Sequence, residues 1–399
     1  MESVWLRRLL RVTVNAPTLL AWELIIAGLG LSWVIAYGVG GENVAPPHWF
    51  YFVVAFSGVR FGWRGALVVG AASGALAGPA LPADVAAGVA QGSSEWVTRA
   101  VFFVLIGQMV ALLVALSRRS LAAEVERLRA ERDVLRALDR GEFRLQYQPI
   151  VALGSERVIG VEALARWAHP EAGMIEPCEF IALAEGSTAI NALGQFVLDE
   201  TCRQVAVWKQ TVLRDATGFK VAVNVSTLQL TDPMFPAQIA AAIDETGIDP
   251  SWLYLEVTET ALIADLDAAL DGISAIKALG ARFAIDDFGT GYSSLTYLHR
   301  LPVDAVKIDR SFVANIDAPG MSGGIAGLVI HLAGDHGITT VAEGVETVEQ
   351  ADALLELGCE CAQGFYFSEP LDAAAMAAYL EAEACRPRSQ HARVPALPA

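Results

Sequence analysis

The segment Arg282-Phe283-Ala284-Ile285-Asp286-Asp287-Phe288-Gly289-Thr290-Gly291-Tyr292-Ser293-Ser294 joins a short apolar run to a pair of carboxylates and then to a turn rich in glycine and hydroxyl groups. The apolar residues read as a buried strand, and the turn reads as the opening of a helix. Adjacent carboxylates at the mouth of a buried strand repel one another and are costly unless a cation lies between them. Oxygen donors suit magnesium or manganese, whereas zinc prefers nitrogen and sulfur from His and Cys. An isolated Asp-Asp pair is more often part of a solvated loop, so its meaning depends on the chain around it.

Working outward, strand-like runs recur at 145–151, 158–164, 220–225, 253–258, 282–285, 305–308, 339–342 and 361–365, with amphipathic helical stretches between most of them. About eight strands alternating with helices over roughly 240 residues have the size and rhythm of a closed α/β barrel. An open doubly wound sheet is the alternative, but no Gly-x-Gly-x-x-Gly follows any of these strands. Polar residues close the apolar runs in series: Glu162, Asn224, Glu256, the Asp286-Asp287 pair, Lys307, Glu343 and Gln363. In a barrel the C-terminal strand ends converge on one face, where barrel enzymes keep their chemistry. Five carboxylates, one amide oxygen and one ammonium gathered there form a cage for two hard cations beside a positive charge, a device suited to a phosphate diester.

These residues carry a resemblance. Over about residues 140 to 375 the chain resembles the EAL-domain cyclic di-GMP phosphodiesterases, through Gln148-Pro149-Ile150, Glu162-Ala163-Leu164-Ala165-Arg166-Trp167, Val223-Asn224-Val225-Ser226, Leu255-Glu256-Val257-Thr258-Glu259, the 286–294 stretch, Lys307-Ile308-Asp309-Arg310, Ala342-Glu343-Gly344-Val345-Glu346 and Gln363-Gly364. The resemblance implies a TIM-like (β/α)8 barrel whose first strand is antiparallel, and hydrolysis of cyclic di-GMP to linear pGpG by in-line attack of a water activated by two metals. It also implies roles. Glu162, Asn224, Glu256 and Asp286 would hold one Mg2+ or Mn2+, and Asp286 would bridge to a second held by Asp287 and Glu343. Lys307 would orient the attacking water, with Glu343 and Gln363 completing the catalytic network, while Gln148, Leu164 and the planar fork of Arg166 would touch the substrate. Glu259 would hold the loop that begins Phe288-Gly289-Thr290, linking contacts in a homodimer to metal binding. The chain departs from the family pattern at Ala165, at Gly186-Ser187-Thr188-Ala189 and at Glu369, where an acid stands in place of a common basic residue. No Gly-Gly-Asp-Glu-Phe signature is present, so synthesis of the dinucleotide is not expected. A catalytically silent cyclic di-GMP receptor or scaffold is the competing reading, although such proteins usually lack metal ligands and none is missing here.

The N-terminal part is of another kind. With 399 residues, 54 % of them hydrophobic, the chain is too apolar to be wholly soluble. Apolar runs at 19–39, 49–59, 65–80 and 96–116 suggest a transmembrane domain over 1–116 with about four helices. The first run is too long for a signal peptide and ends in no small-residue cleavage pattern. Arg7, Arg8 and Arg11, then Arg60 and Arg64, then Arg118 and Arg119 fall on one side if four spans cross. That side is then cytoplasmic, which places a multi-pass protein in the inner membrane with its catalytic domain in the cytoplasm. Loss of the short second span would send the C-terminal half outside. Arg99, inside the last run, is unexplained by this reading. Leu121, Val125, Leu128, Leu135 and Leu138 give residues 117–140 one apolar helical face, consistent with either a short coiled-coil connector or a plain amphipathic linker. The barrel is expected over 141–385 and a disordered tail over 386–399. A formal charge of −17 argues against a nucleic-acid polymer as partner. Cys178, Cys202, Cys359, Cys361 and Cys385 show neither a disulfide framework nor zinc spacing and read as free thiols.

Overall fold

The computed structural model describes residues 18–39, 48–185, 187–259, 262, 266–289, 301–314, 316 and 321–385. Thr290, the rest of the 290–294 stretch, Arg7, Arg8, Arg11 and the 386–399 tail lie outside them. The chain divides into two compact units between Glu126 and Arg127.

In the first unit, α1 (Thr18–Gly38), α2 (Trp49–Ala77) and α3 (Ser93–Asp139) are each long and apolar enough to cross a membrane. The expected second run and most of the third are within α2, which is interrupted at Gly62 with φ 66° and ψ −154°. This backbone conformation is open to glycine and closed to most other residues. The chain reverses there. Before the break, the Phe50 ring lies 5.9 Å from that of Phe103, and Gly58 sits against Gly107 and Ala111. After it, Gly70 abuts Val104, Gly74 abuts Ala100 and Gly78 abuts Trp96, so contact with α3 runs backwards. Small residues allow this close packing, which in lipid replaces the hydrophobic drive. Trp22 stacks on Phe61 at 4.6 Å and Arg118 donates to the Val59 carbonyl at 3.2 Å, so the start of α1, the Gly62 reversal and the Arg118 region of α3 share one end of this unit. Arg99 also finds its place. It donates to the Ala77 carbonyl at 2.8 Å and to Gln91 Oε1 at 3.3 Å, covering a C-terminal carbonyl of α2 that has no partner within the helix.

The second unit holds β1 (Phe143–Ala152), β2 (Arg157–His169), β3 (Gly173–Ile175), α4 (Pro177–Ala184), α5 (Ala189–Gln210), β4 (Lys220–Asn224), α6 (Thr227–Leu230), α7 (Phe235–Thr246), β5 (Leu253–Thr258), α8 (Leu266–Ala278), β6 (Arg282–Phe288), β7 (Ala305–Ile308), α9 (Arg310–Val313), α10 (Met321–Asp335), β8 (Thr339–Ala342), α11 (Val348–Glu356), β9 (Cys361–Ala362) and α12 (Ala373–Cys385). The sheet order β1-β9-β8-β7-β6-β5-β4-β2-β3, closed by pairing of β1 with β2, makes an eight-stranded barrel with β3 as an added strand. β1 is antiparallel to both neighbours, and all the other barrel pairs are parallel. The TIM-like expectation, including its reversed first strand, is the fold observed.

Side chains alternate across a strand, so one set points inward and the other packs under the helices. The outward set, including Val221, Leu255, Phe283, Ile285, Val306 and Ala342, is buried in the main core. That core also takes Val134 and Ala137 from the last turns of α3, so residues 127–139 of the expected linker belong with the barrel. Leu121, Val125 and Leu128, one face of the same helix, are exposed. Capping boxes at Ser226 with Gln229 and at Thr347 with Gln350 start α6 and α11 just past the strand ends.

Candidate active site

The barrel interior is layered. Ile150, Ala222, Val341 and Cys361 cluster inside with Tyr254, while Ala284 and Ala305 are also buried. Two residues further toward the catalytic end, the same inward direction is taken by Gln148, Asn224, Glu343, Gln363, Glu256, Asp286 and Lys307, and β2 adds Glu162 opposite Gln148. Each polar group thus stands on a small or apolar residue of its own strand. β2 supplies a glycine at that lower step, Gly160, because a Cβ there would collide with the Lys220 carbonyl.

Lys307, 1 % exposed, is the centre of this polar layer. Its Nζ lies 2.6 Å from Glu343 Oε1, 2.8 Å from Glu256 Oε2, 3.1 Å from Glu162 Oε2 and 3.4 Å from Asp286 Oδ1. Gln363 Nε2 donates to Glu162 Oε2 at 2.6 Å and to Glu343 Oε1 at 3.0 Å, and Asn224 Nδ2 donates to Glu162 Oε1 at 2.8 Å. Asp287 has φ 53°, which turns its side chain away from the strand direction, and its N–H donates to Asp286 Oδ1 at 2.9 Å. Aspartate tolerates the left-handed region better than most residues, and such conformations collect at functional sites. Asp286, Asp287 and Glu343 each offer an oxygen within 4.8 Å of the others.

The electrostatics reveal an excess of negative charge. Burial pushes Glu162 up, but Lys307 and the hydrogen bonds from Gln363 and Asn224 outweigh it and hold this carboxyl below its ordinary value. Burial raises Glu256 well above the usual range, and the charges of Glu162 and Asp286 add to this against the pull of Lys307. Glu343 is pushed up to about 8 by burial, with Asp286 and Glu162 reinforcing the shift and Lys307 opposing it. Asp287 is raised by burial and then by the charges of Asp286 and Asp309. Burial alone would lower Lys307, yet the surrounding carboxylates raise it well above the normal lysine value. One ammonium does not balance five carboxylates. The oxygen-rich donor set and the raised pKa values of Glu256, Asp287 and Glu343 fit divalent cations, which would draw these three groups into their ionised form.

The other sequence candidates are placed around this layer. Glu259 Oε2 accepts from the Gly289 N–H at 3.1 Å, tying the end of β5 to the turn after Phe288. Gln148 Nε2 reaches the Ser368 carbonyl at 3.4 Å. Leu164 and Arg166 lie beyond Glu162 on the same face of β2, away from the carboxylates, and Arg166 Nη1 contacts the Ala165 carbonyl at 2.9 Å. Gly364 packs so closely on the Val345 backbone that no side chain fits, which brings Gln363 into the layer. Asp309, quoted only as part of a motif, acts on Asp287 and also caps α9 through the Ser311 N–H at 3.0 Å. The helix-start signal was legible, whereas its nearness to Asp287 depends on the β6–β7 pairing.

A parallel-rich barrel with a cation-type carboxylate layer at its catalytic end defines a class of metal-dependent α/β-barrel proteins. This chain belongs to the EAL domain family, which matches residues 131–370. It is 40 % identical over 248 residues to the bifunctional diguanylate cyclase/cyclic di-GMP phosphodiesterase MucR of Pseudomonas aeruginosa, covering 62 % of this chain and 36 % of that protein. It is also 40 % identical over 266 residues to the cyclic di-GMP phosphodiesterase NbdA of the same organism, covering 67 % of this chain and 34 % of the relative. The match thus spans about a third of each of these relatives. Among solved structures it is similar to a PaMucR phosphodiesterase–c-di-GMP complex, at 39 % identity and a TM-score of 0.58, covering 62 % of this chain and 99 % of that one.

Proposed function

We propose that the chain is a membrane-anchored, metal-dependent phosphodiesterase that hydrolyses cyclic di-GMP to linear pGpG. The observation that carries this reading is the single layer in which the buried Lys307 contacts Glu162, Glu256, Asp286 and Glu343. Two Mg2+ or Mn2+ ions, one held by Glu162, Asn224, Glu256 and Asp286 and the other by Asp286, Asp287 and Glu343, would polarise the scissile phosphate and make a water nucleophilic. Lys307 and Gln363 hold the Glu162 and Glu343 carboxylates in place and would orient that water. Gln148, Leu164 and Arg166 line the substrate path, and Glu259 fixes the turn at Phe288 and Gly289. The first unit anchors the protein in the inner membrane with the barrel in the cytoplasm, since Arg60, Arg64 and Arg118 gather at one end of it. The exposed face of Leu121, Val125 and Leu128 suits a homodimer, through which the membrane half would regulate turnover.

Full-length chain in detergent with cyclic di-GMP and Mg2+ or Mn2+, followed by chromatography of the nucleotides, tests the reading. The expected product is pGpG. Tight binding without turnover under either metal would favour a silent receptor instead, in which the same site holds the dinucleotide without cleaving it.

A further inference from the structure

β1 and β2 are longer than barrel closure requires. β2 pairs with β4 only over 160–163, and beyond Ala163 it rises above the rim with β1 on one side and, from Trp167, β3 on the other. Residues directly opposite in an antiparallel pair present their side chains on the same face. The register Glu162↔Gln148, Leu164↔Gln146 and Arg166↔Arg144 therefore puts six side chains on one face. The other face, with Phe143, Leu145, Tyr147, Ala163 and Trp167, is buried in the core. The first face begins in the carboxylate layer and continues about 13 Å along β2 to Arg166, four residues at ~3.3 Å each. Arg144 on it is exposed, and Gln146 is half-buried.

Two guanidinium groups directly opposite one another repel, and in a protein of charge −17 their placement at the open end of a carboxylate site calls for an anion between them. One acid is already near. The β2–β3 pairing ends at Trp167↔Ile175, and the next residue, Glu176 at the entry to α4, is the acid whose charge acts on Arg166. Burial lowers the Arg166 pKa, and the Glu176 charge opposes that shift ahead of the Glu162 charge. A cyclic dinucleotide carries two phosphates. With one at the carboxylate layer, the other needs a cation held at a distance from it, and this ladder supplies two.

We propose that Arg144 and Gln146, together with Arg166, form a wall that binds the half of the dinucleotide remote from the metals. Arg144 and Arg166 grip its second phosphate, and Glu176 weakens that grip by competing for Arg166. The proposal rests on the phosphodiesterase reading and adds three residues that the family motifs do not mark.

Steady-state kinetics of the full-length chain with cyclic di-GMP would compare R144Q, Q146A and E176Q with R203Q, which removes the same charge from the exposed surface of α5. R144Q is expected to raise KM about tenfold, the loss of one charge-assisted contact, with kcat within about twofold, and to flatten the salt dependence of KM. Q146A is expected to raise KM by about threefold, and E176Q to lower it by about threefold, a direction that mere structural damage would not give. R203Q should leave both constants unchanged. R144Q behaving like R203Q, or E176Q raising KM, would overturn the wall. If the wild type binds cyclic di-GMP without turnover, the phosphodiesterase reading fails, but the same order of affinities by titration calorimetry still supports the wall. No binding by the wild type overturns both.

Discussion

Replacing Lys307 by methionine removes the cation that lies 2.6–3.4 Å from four carboxylates, and keeps much of the side-chain volume. Breaking a buried ion pair by removing one partner costs about 3–5 kcal/mol, because the remaining charge is left uncompensated. At about 2–4 °C per kcal/mol for a domain of this size, the metal-free barrel transition should fall by about 6–20 °C. Protons can relieve part of this. Burial already pushes Glu343 up to about 8 and raises Glu256, and loss of the opposing ammonium should move both further up. A carboxyl whose folded pKa exceeds its unfolded value of about 4.3 contributes stability at low pH that is lost as pH rises through the folded pKa. The deficit of K307M should therefore be small at pH 6 and largest near pH 9. Thermal melting of wild type and variant in EDTA at the two pH values measures it. A variant melting within about 2 °C of wild type at pH 9, or a larger deficit at pH 6, would show that Lys307 does not balance these charges.

The same linkage predicts that the metal-free wild type loses stability as pH rises from about 4.3 toward 8, and that E343Q flattens this part of the curve in urea titrations. Mg2+ or Mn2+ at about a hundred times its dissociation constant should add about 2.7 kcal/mol to wild-type stability, and E256Q should show much less of this gain by calorimetry. Gly364→Ala should abolish turnover and lower the melting point, since a Cβ there collides with Val345 and displaces Gln363; retention of full activity would mean that the chain shifts without moving Gln363.

The barrel was readable because its inward positions obey two simple rules. Period-2 alternation places Ala222 below Asn224, Tyr254 below Glu256 and Cys361 below Gln363, so polar strand ends can be listed from sequence and assigned to one face. What the sequence did not reveal depends on contacts between distant segments. The reversal at Gly62 is written only as a glycine between two aromatic residues, and two short apolar runs do not disclose that they pack against the same helix. Arg99 looked like an unexplained charge in an apolar run, since the carbonyls it covers arise at a helix end 22 residues earlier. Arg144 and Gln146 follow from strand register alone: neither belongs to a polar strand end, and Arg144↔Arg166 pairing exists only once β1 runs antiparallel to β2. The division of the 117–140 segment was hidden for a similar reason. Its apolar positions share one period, yet Val134 and Ala137 are in the barrel core while Leu121 and Val125 are exposed.

Anomalous diffraction from crystals of the full-length chain grown with Mn2+ would test the central claim most directly. Two manganese peaks between Glu162, Asn224, Glu256, Asp286, Asp287 and Glu343, with Lys307 beside them, are the result expected. Absence of manganese from this layer at saturating concentration, with the barrel intact, would contradict it.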